Sequence, residues 1–307
     1  MISEILSVSL IATTISFTAP LILAALGGLV ADKSGVPNVA IEGMIYLGGI
    51  VAIIVCFFTG DPWIATFVTA AIGALLSYIL GLICVKEAGD VVIGGFSINF
   101  ICWGLAPTLS LMIFGSKGMT PMVSGFSPIR VSIMEEAGAL GEILSQTPLT
   151  YLTFLILILL YILMNKTKFG KHVIASGLDP FVADTQGVDV FKVRYLALMI
   201  SGVLAAIAGA EYSLGIIHRW SLGLSAGRGF IAIAAYLFGR RRPLETTGAC
   251  FLFGFLEALS IRLRQVLGWM HGATEITQML PLILTIIILG IVGKGEFMKF
   301  AKPYRRE

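Results

Sequence analysis

The stretch VAIEGMIYLGGIVAIIVCFFTGDPWIATFVTAAIGALLSYILGLICVK, residues 39–86, is almost entirely apolar. It divides into two runs, 39–58 and 63–85, and each has about the 20 residues that an α-helix needs to cross the hydrocarbon core of a bilayer. The only charged side chain within either run is Glu42. This stretch therefore predicts two consecutive transmembrane helices.

Similar runs recur along the rest of the chain. They lie near residues 11–30, 91–115, 148–164, 193–214, 245–261 and 276–292, with a shorter run at 228–239. The composition agrees, because 57% of the residues are hydrophobic and only 13% are charged, whereas about a quarter are charged in a soluble domain. We expect an all-α integral membrane protein, a single domain over residues 1–307 that forms a polytopic bundle of about 8–10 transmembrane helices.

Three stretches predict broken or re-entrant helices. The run at 228–239 is too short to cross the membrane comfortably. Glycine combines with proline and polar residues at 27–38 and 238–248, and irregular backbone at membrane depth is tolerated only inside protein or along a wet cavity. Elsewhere, glycines in apolar runs are typical of close helix packing.

Basic residues predict the orientation, because lysine and arginine accumulate in short cytoplasmic loops. They surround the loop 165–192 and fill the tail: Lys166, Lys168, Lys171, Lys192, Arg194, Lys294, Lys299, Lys302, Arg305 and Arg306. Alternation from these segments places 116–147 outside, and it also places the amino terminus outside if the short run crosses, which gives nine crossings. Arg262 and Arg264 then lie outside, which is contrary to the preference of basic residues for the cytoplasmic side.

A short helix is predicted within the loop 165–192. Asp179 followed by Pro180 is typical of an N-cap with proline at the first helical position. Gly187 supplies a left-handed stop, which leaves about two turns at 180–186. So short a helix is marginal alone in water, so either a docking partner or the protein's own loops must hold it.

This loop resembles the coupling-helix loop of the permease family that includes the ribose-type, branched-chain amino acid and nucleoside importers. The matching residues are Phe169-Gly170, Ala175, Gly177, Asp179-Pro180, Ala183, Gly187 and SGVLAAIAGA at 201–210. Two stretches, SGVPNVAIEGMIYLGG at 34–49 and SAGRGFIAIAAYLFGRRRPLETTGACFLFGFLEAL at 225–259, are similar to the nucleoside and simple-sugar branch. The likeness spans about residues 20–295 and departs from the family at Tyr236 and Glu245-Thr246-Thr247.

The resemblance implies the permease subunit of an ATP-binding-cassette (ABC) importer for nucleosides or related small polar solutes, in the cytoplasmic membrane of a prokaryote. Simple sugars or a flavin-type vitamin are alternative solutes. The implied partners are a cytoplasmic ABC ATPase, a second permease subunit, identical or homologous, and an external substrate-binding lipoprotein; no nucleic acid is expected. The implied coupling residues are Gly177, Asp179, Pro180, Phe181, Ala183 and Gly187.

The chain contains no GxxxxGK[ST] phosphate loop, so ATP and Mg²⁺ are expected to bind the partner ATPase. No enzymatic role, cofactor or metal is expected in this chain. A stand-alone secondary transporter is a rival of another class, but the paired buried Asp or Lys residues expected for ion coupling are missing. An intramembrane enzyme would need a catalytic motif at depth, and none occurs.

Polar and aromatic residues within the apolar runs are candidates for the translocation path, because charged groups at membrane depth usually face a partner or water. They are Asn38, Glu42, Ser97, Asn99, Trp103 and Glu257. Structural pairing or capping is the alternative for the two glutamates, and packing is the alternative for Trp103. Glu211 is expected to be interfacial, and Arg228 either meets a carboxylate or lies in a solvated turn.

Overall fold

The computed structural model describes residues 8–129 and 139–267. The long helices are α1 (Val8–Lys33), α2 (Ile41–Thr59), α3 (Pro62–Gly81), α4 (Val91–Phe114), α6 (Pro148–Lys166), α9 (Val190–Ala210) and α11 (Pro243–Leu267). Shorter ones are α5 (Ala139–Leu144), α7 (Lys168–Leu178), α8 (Pro180–Thr185) and α10 (Arg228–Phe238). π-Helical turns extend α3 over Leu82–Lys86 and α9 over Glu211–Ile217.

Seven helices of the described part are long and apolar enough to cross a membrane. They coincide with seven of the predicted runs to within a few residues, and α10 coincides with the short run at 228–239. The expected run at 276–292 lies outside the described residues. The polytopic, all-helical bundle predicted from the sequence is therefore confirmed for the described chain, with α10 too short to span on its own.

Small residues bring the central helices together. A Cβ at Gly209 of α9 would lie 2.1 Å from the Ile45 carbonyl oxygen of α2, and a Cβ at Gly202 would lie 2.4 Å from the Gly73 carbonyl oxygen of α3. Only glycine permits such backbone approach, and close packing is a main source of helix association in lipid. α2 is the most enclosed of the spanning helices, with 72% of its apolar window buried, compared with 28% for α4 and α6.

The chain between α1 and α2 is a buried break at residues 34–40. Asn38 accepts from the Ala40 N–H at 2.9 Å and donates to the Ser201 hydroxyl at 3.0 Å. Asn99 of α4 accepts from the Gly43 N–H at 2.7 Å and donates to the Val39 carbonyl at 3.0 Å. These side chains satisfy backbone groups that would otherwise be unpaired away from water.

Candidate functional site

The short helix α8 has the ends that its sequence predicts. The Asp179 carboxylate accepts from the N–H groups of Phe181 at 3.0 Å and Val182 at 3.2 Å, and Pro180 is the first helical residue. Gly187 has φ +83° and donates its N–H to the Asp184 carbonyl at 2.8 Å. The helix ends at Thr185, one residue before the predicted end. Both ends are therefore stabilised by local contacts.

One face of α8 is anchored and the other is open. Ala183 is buried and packs with Val190, whereas Phe181 and Val182 are 52% and 57% exposed. Leu178, at the end of α7, is 82% exposed. The protein's own chain therefore holds the helix from one side, and Leu178, Phe181 and Val182 form an apolar surface that is largely exposed. We call these three residues the α8 surface.

Arg194 ties this region to the broken segment. It is only 4% exposed, and its guanidinium donates to the carbonyls of Ser34 at 3.2 Å and Ser176 at 3.1 Å. A Cβ at Gly177 would lie 2.1 Å from the Lys33 carbonyl oxygen, so α7 touches the end of α1 directly. In the sequence, Arg194 is one of the basic residues around the loop, and this contact was not predicted. Its position one turn inside an apolar helix was the available signal.

A second connection joins the broken segment to α10. Asp32, whose side chain is 4% exposed, forms an ion pair with Arg241, with 2.6 Å between Oδ2 and Nε. Arg241 lies three residues after the end of α10 and has φ +57°. The end of α1 therefore contacts both α7 and the chain that follows α10.

At the other end of α10, Glu42 holds the start of the helix. Its two carboxylate oxygens accept from the N–H groups of Gly227 at 2.8 Å and Gly229 at 2.7 Å, and the side chain is almost fully buried. A negative charge at a helix start is favourable because the unpaired N–H groups carry partial positive charge. A Cβ at Gly229 would lie 2.5 Å from the Glu42 Cα, so glycine is required for this approach.

Arg228 pairs with Glu257 of α11. The Arg228 Nε donates to Glu257 Oε1 at 2.8 Å, and Nη2 contacts the same oxygen. The guanidinium carbon lies 4.6 Å from the centre of the Tyr212 ring. Of the two alternatives for Arg228, the structure supports the carboxylate partner. Glu42 and Glu257 thus have a capping role and a pairing role in this conformation.

The six candidate path residues do not form one cluster. Asn38, Glu42 and Asn99 lie around the break and the start of α2, and Glu257 joins them through Arg228. Ser97 is exposed and donates to the Ile93 carbonyl at 2.8 Å. Trp103 is half-buried and meets the Phe100 ring edge-on, with 5.5 Å between centroids.

Glu211 corrects a sequence expectation. Its side chain is not interfacial but fully buried, and Oε1 accepts from the hydroxyls of Thr147 at 2.6 Å and Thr150 at 2.8 Å. The physical reason is that the segment before α6 folds over the π-helical end of α9. Hydropathy gives the depth of a residue in a span, but it does not report which loop covers it.

Three known transporter permeases are similar in sequence to this chain over most of its length. A guanosine ABC transporter permease, NupQ of Bacillus subtilis, is 31% identical, with 97% of this chain and 96% of the relative aligned. A nucleoside ABC transporter permease, NupC of Lactococcus lactis, is 29% identical over 93% of each chain. A putative glucose ABC transporter permease, TsgC13 of Haloferax volcanii, is 33% identical over 82% of this chain and 77% of the relative.

The family described as branched-chain amino acid transport system / permease component matches residues 10–289, which is most of the chain. This match includes the seven spanning helices except the first two residues of α1, together with α8 and α10. The chain is therefore a multi-pass membrane protein that belongs to the branched-chain amino acid transport system permease component family.

Proposed function

We propose that this permease carries nucleosides. The observation that supports the proposal most directly is the length of the likeness to the guanosine and nucleoside permeases, which covers at least 93% of both chains in each comparison. As the permease component of an ABC importer, the chain is not itself catalytic and is not a stand-alone secondary transporter.

Glucose transport is the second candidate. The putative glucose permease has the highest of the three identities, 33%, but it aligns over only 77% of its own length. Sequence identity favours the glucose permease, whereas coverage favours the nucleoside permeases. An uptake measurement therefore has to identify the solute.

The second part of the proposal is where ATP hydrolysis is coupled to transport. ABC permeases work with an ATPase and a solute-binding protein, and we propose that the ATPase docks on the α8 surface. Two exposed apolar side chains on a helix of six residues, with Leu178 of α7 beside them, match a small protein contact, since an isolated helix of this length is marginal in water. The same loop carries the coupling residues implied by the family resemblance: Gly177, Asp179, Pro180, Phe181, Ala183 and Gly187.

For the solute path we propose the region between the 34–40 break and the start of α10, with Asn38, Glu42, Asn99 and Glu257 nearest to it and Ser97 and Trp103 on α4. Two interrupted helices meet there, and irregular backbone at membrane depth is found where it is buried in protein or lines a wet cavity. A second permease subunit, identical or homologous, would complete the path.

The test is uptake by proteoliposomes that contain the permease, the ATPase that co-purifies with it and the matching binding protein. We expect ATP-dependent accumulation of radiolabelled guanosine, and competition by excess unlabelled adenosine or uridine but not by glucose. Accumulation of labelled glucose that nucleosides do not inhibit would establish the sugar instead. Hydrolysis of ATP by the purified permease alone would contradict its assignment as a non-catalytic subunit.

A further inference from the structure

The chain turns tightly from α6 into α7, at the end of the bundle that carries α8. Thr167 stabilises the turn, since its hydroxyl donates to the Leu163 carbonyl at 2.6 Å and accepts from the Gly170 N–H at 3.2 Å. A Cβ at Gly170 would lie 2.4 Å from the carbonyl oxygens of Leu163 and Met164, so α7 packs directly on the last turn of α6. The end of α6 and the start of α7 are therefore held in a fixed relation.

Three lysines lie on this turn, and we call them the lysine cluster. Lys166 is the last residue of α6, and Lys168 and Lys171 lie three positions apart on α7, which places them on the same side of that helix. All three residues are exposed, and the first turn of α7 contains no acidic residue. None of the ion pairs formed within the described residues includes any of the three.

Other basic side chains at the same end have acidic neighbours. Lys192 pairs with Asp189 at 3.3 Å, and Arg242 pairs with Glu245 at 2.9 Å. The lysine cluster differs from them because no carboxylate of the described residues offsets its charge. Three like charges held on one turn repel each other, and they attract an anion from outside the chain.

The side of α6 that leads to the lysine cluster is apolar and open. Four of its aliphatic side chains are 45–55% exposed: Leu155, Ile158, Leu159 and Ile162. Helical spacing places these four on one face, and Lys166 continues that face because it follows Ile162 by four positions. Tyr161, which is 38% exposed, lies beside them, and tyrosine is enriched where acyl chains meet lipid head groups. An apolar face thus ends at a cluster of positive charges.

We propose that this turn binds an anionic phospholipid, with its phosphate at the lysine cluster and its acyl chains along the exposed face of α6. A lipid matches both parts of the surface, and basic clusters beside a membrane span bind anionic head groups. A soluble phosphate compound would use the lysines alone, and an acidic protein surface would leave the face of α6 uncovered. The inference goes beyond the proposed function and does not depend on which solute the permease carries.

The test titrates the purified full chain with phosphatidylglycerol or with phosphatidylcholine of the same acyl chains, and native mass spectrometry counts the lipids bound. Each lysine near an anionic surface is worth about fivefold in affinity. We therefore expect the parent protein to bind its first phosphatidylglycerol about 10–100-fold more tightly than its first phosphatidylcholine. The preference should fall as the ionic strength rises, because salt screens exposed charges.

Matched variants show whether the lysine cluster causes this preference. The combined change Lys166→Gln, Lys168→Gln and Lys171→Gln should remove most of it, whereas arginine at the same three positions should keep it, because the positive charge remains. The control also removes three basic side chains, by Lys86→Gln, Lys192→Gln and Arg242→Gln. It should keep the preference, because each of these three already has a carboxylate partner, at 3.9, 3.3 and 2.9 Å respectively.

Equal binding of the two lipids by the parent protein would overturn the proposal, as would an equal loss of the preference in the glutamine variant and in the control. Displacement of phosphatidylglycerol by inorganic phosphate at the same concentration would also overturn it, because the turn would then recognise phosphate without a lipid. A glutamine variant that kept the lipid preference but no longer co-purified with the ATPase would assign the lysines to a protein contact instead.

Discussion

Arg228 connects more elements of the buried centre than any other side chain described above. Its guanidinium pairs with Glu257 of α11 and lies over the Tyr212 ring of the π-helical turn after α9. Its neighbours in the chain, Gly227 and Gly229, donate their N–H groups to Glu42 of α2. The start of α10 is therefore held by a compact set of charges whose members depend on each other.

We predict that Arg228→Leu lowers the free energy of unfolding by about 3–5 kcal/mol, because it leaves the Glu257 carboxylate without its partner in a largely buried place. Arg228→Leu combined with Glu257→Leu should recover most of that loss, because neither charge then remains. Unfolding in mixed micelles with increasing SDS, followed by tryptophan fluorescence, measures both effects.

The control for this pair is the exposed contact between Lys86 and Glu87, whose side chains are 67% and 72% exposed. Glu87→Gln should change the free energy of unfolding by less than about 1 kcal/mol, since water screens such a pair. If Arg228→Leu alone proved as stable as the parent, the buried pair would not hold α10 in place.

At this scale the sequence could identify the unusual residues but not their partners. Glu42, Glu257 and Arg228 could be singled out because each is a charge within or beside an apolar run. The contact between Glu42 and Gly227 joins residues 185 positions apart, and no local pattern reports such a distance. The burial of Arg194 and of Glu211 could not be predicted for the same reason, because the chain that covers each of them belongs to another element.

Among the elements, α8 has clear local signals at both ends, but only Pro180 and Ala183 of its six residues are buried. Its N-cap, first proline and left-handed stop were all readable, because each depends on residues within the same ten positions. The open apolar face could not be predicted, because it depends on which residues of α7, α8 and α9 face each other.

We predict that Asp179→Ala with Gly187→Val weakens α8 without affecting the bundle. Loss of an N-cap costs about 1 kcal/mol, and a β-branched side chain is strained at the positive φ of Gly187. The variant should therefore insert and reach normal levels, while it binds less ATPase or hydrolyses ATP without uptake. Co-purification, uptake and hydrolysis in parallel proteoliposomes measure these outcomes.

Asp189→Ala is the matched control. It removes a cap of the same chemistry, the acceptor of the Lys192 N–H at 3.1 Å, but from the 21-residue helix α9. Its coupling should stay near that of the parent protein, because a long packed helix tolerates the loss of one cap. If the α8 double variant transported at the parental rate with unchanged hydrolysis, α8 would not be the coupling contact.

Over the whole molecule, three contacts connect the α8 region to the buried centre. Arg194 joins α7 to the broken segment, the ion pair of Asp32 with Arg241 joins that segment to the end of α10, and Glu42 holds the start of α10. α10 has only 11 residues, about 17 Å at 1.5 Å per residue. Only the short helix α10 therefore separates the contacts of α7 from the proposed solute path. This arrangement suits the coupling of a movement at α7 to the path.

The orientation of the bundle in the membrane decides which partner can meet which end. Lys171 lies on α7, and Ser124 lies on the segment that contacts the far end of α2 through the Cys56 thiol; both side chains are exposed. The excess of basic residues around α7 places that end in the cytoplasm. We expect Lys171→Cys to react with an impermeant maleimide only after the membrane is opened, and Ser124→Cys to react in intact cells.

The four native cysteines, Cys56, Cys84, Cys102 and Cys250, are buried and unpaired, so the parent protein should give little background labelling and serves as the control. Strong labelling of the parent protein, which has neither of the two introduced cysteines, would show that the bundle opens under the assay conditions. Labelling of Lys171→Cys in intact cells, with Ser124→Cys protected, would show that the bundle has the opposite orientation in the membrane. The α8 surface would then face away from cytoplasmic ATP, and an ATPase could not dock on it, so this one measurement tests the topology and the proposed coupling contact together.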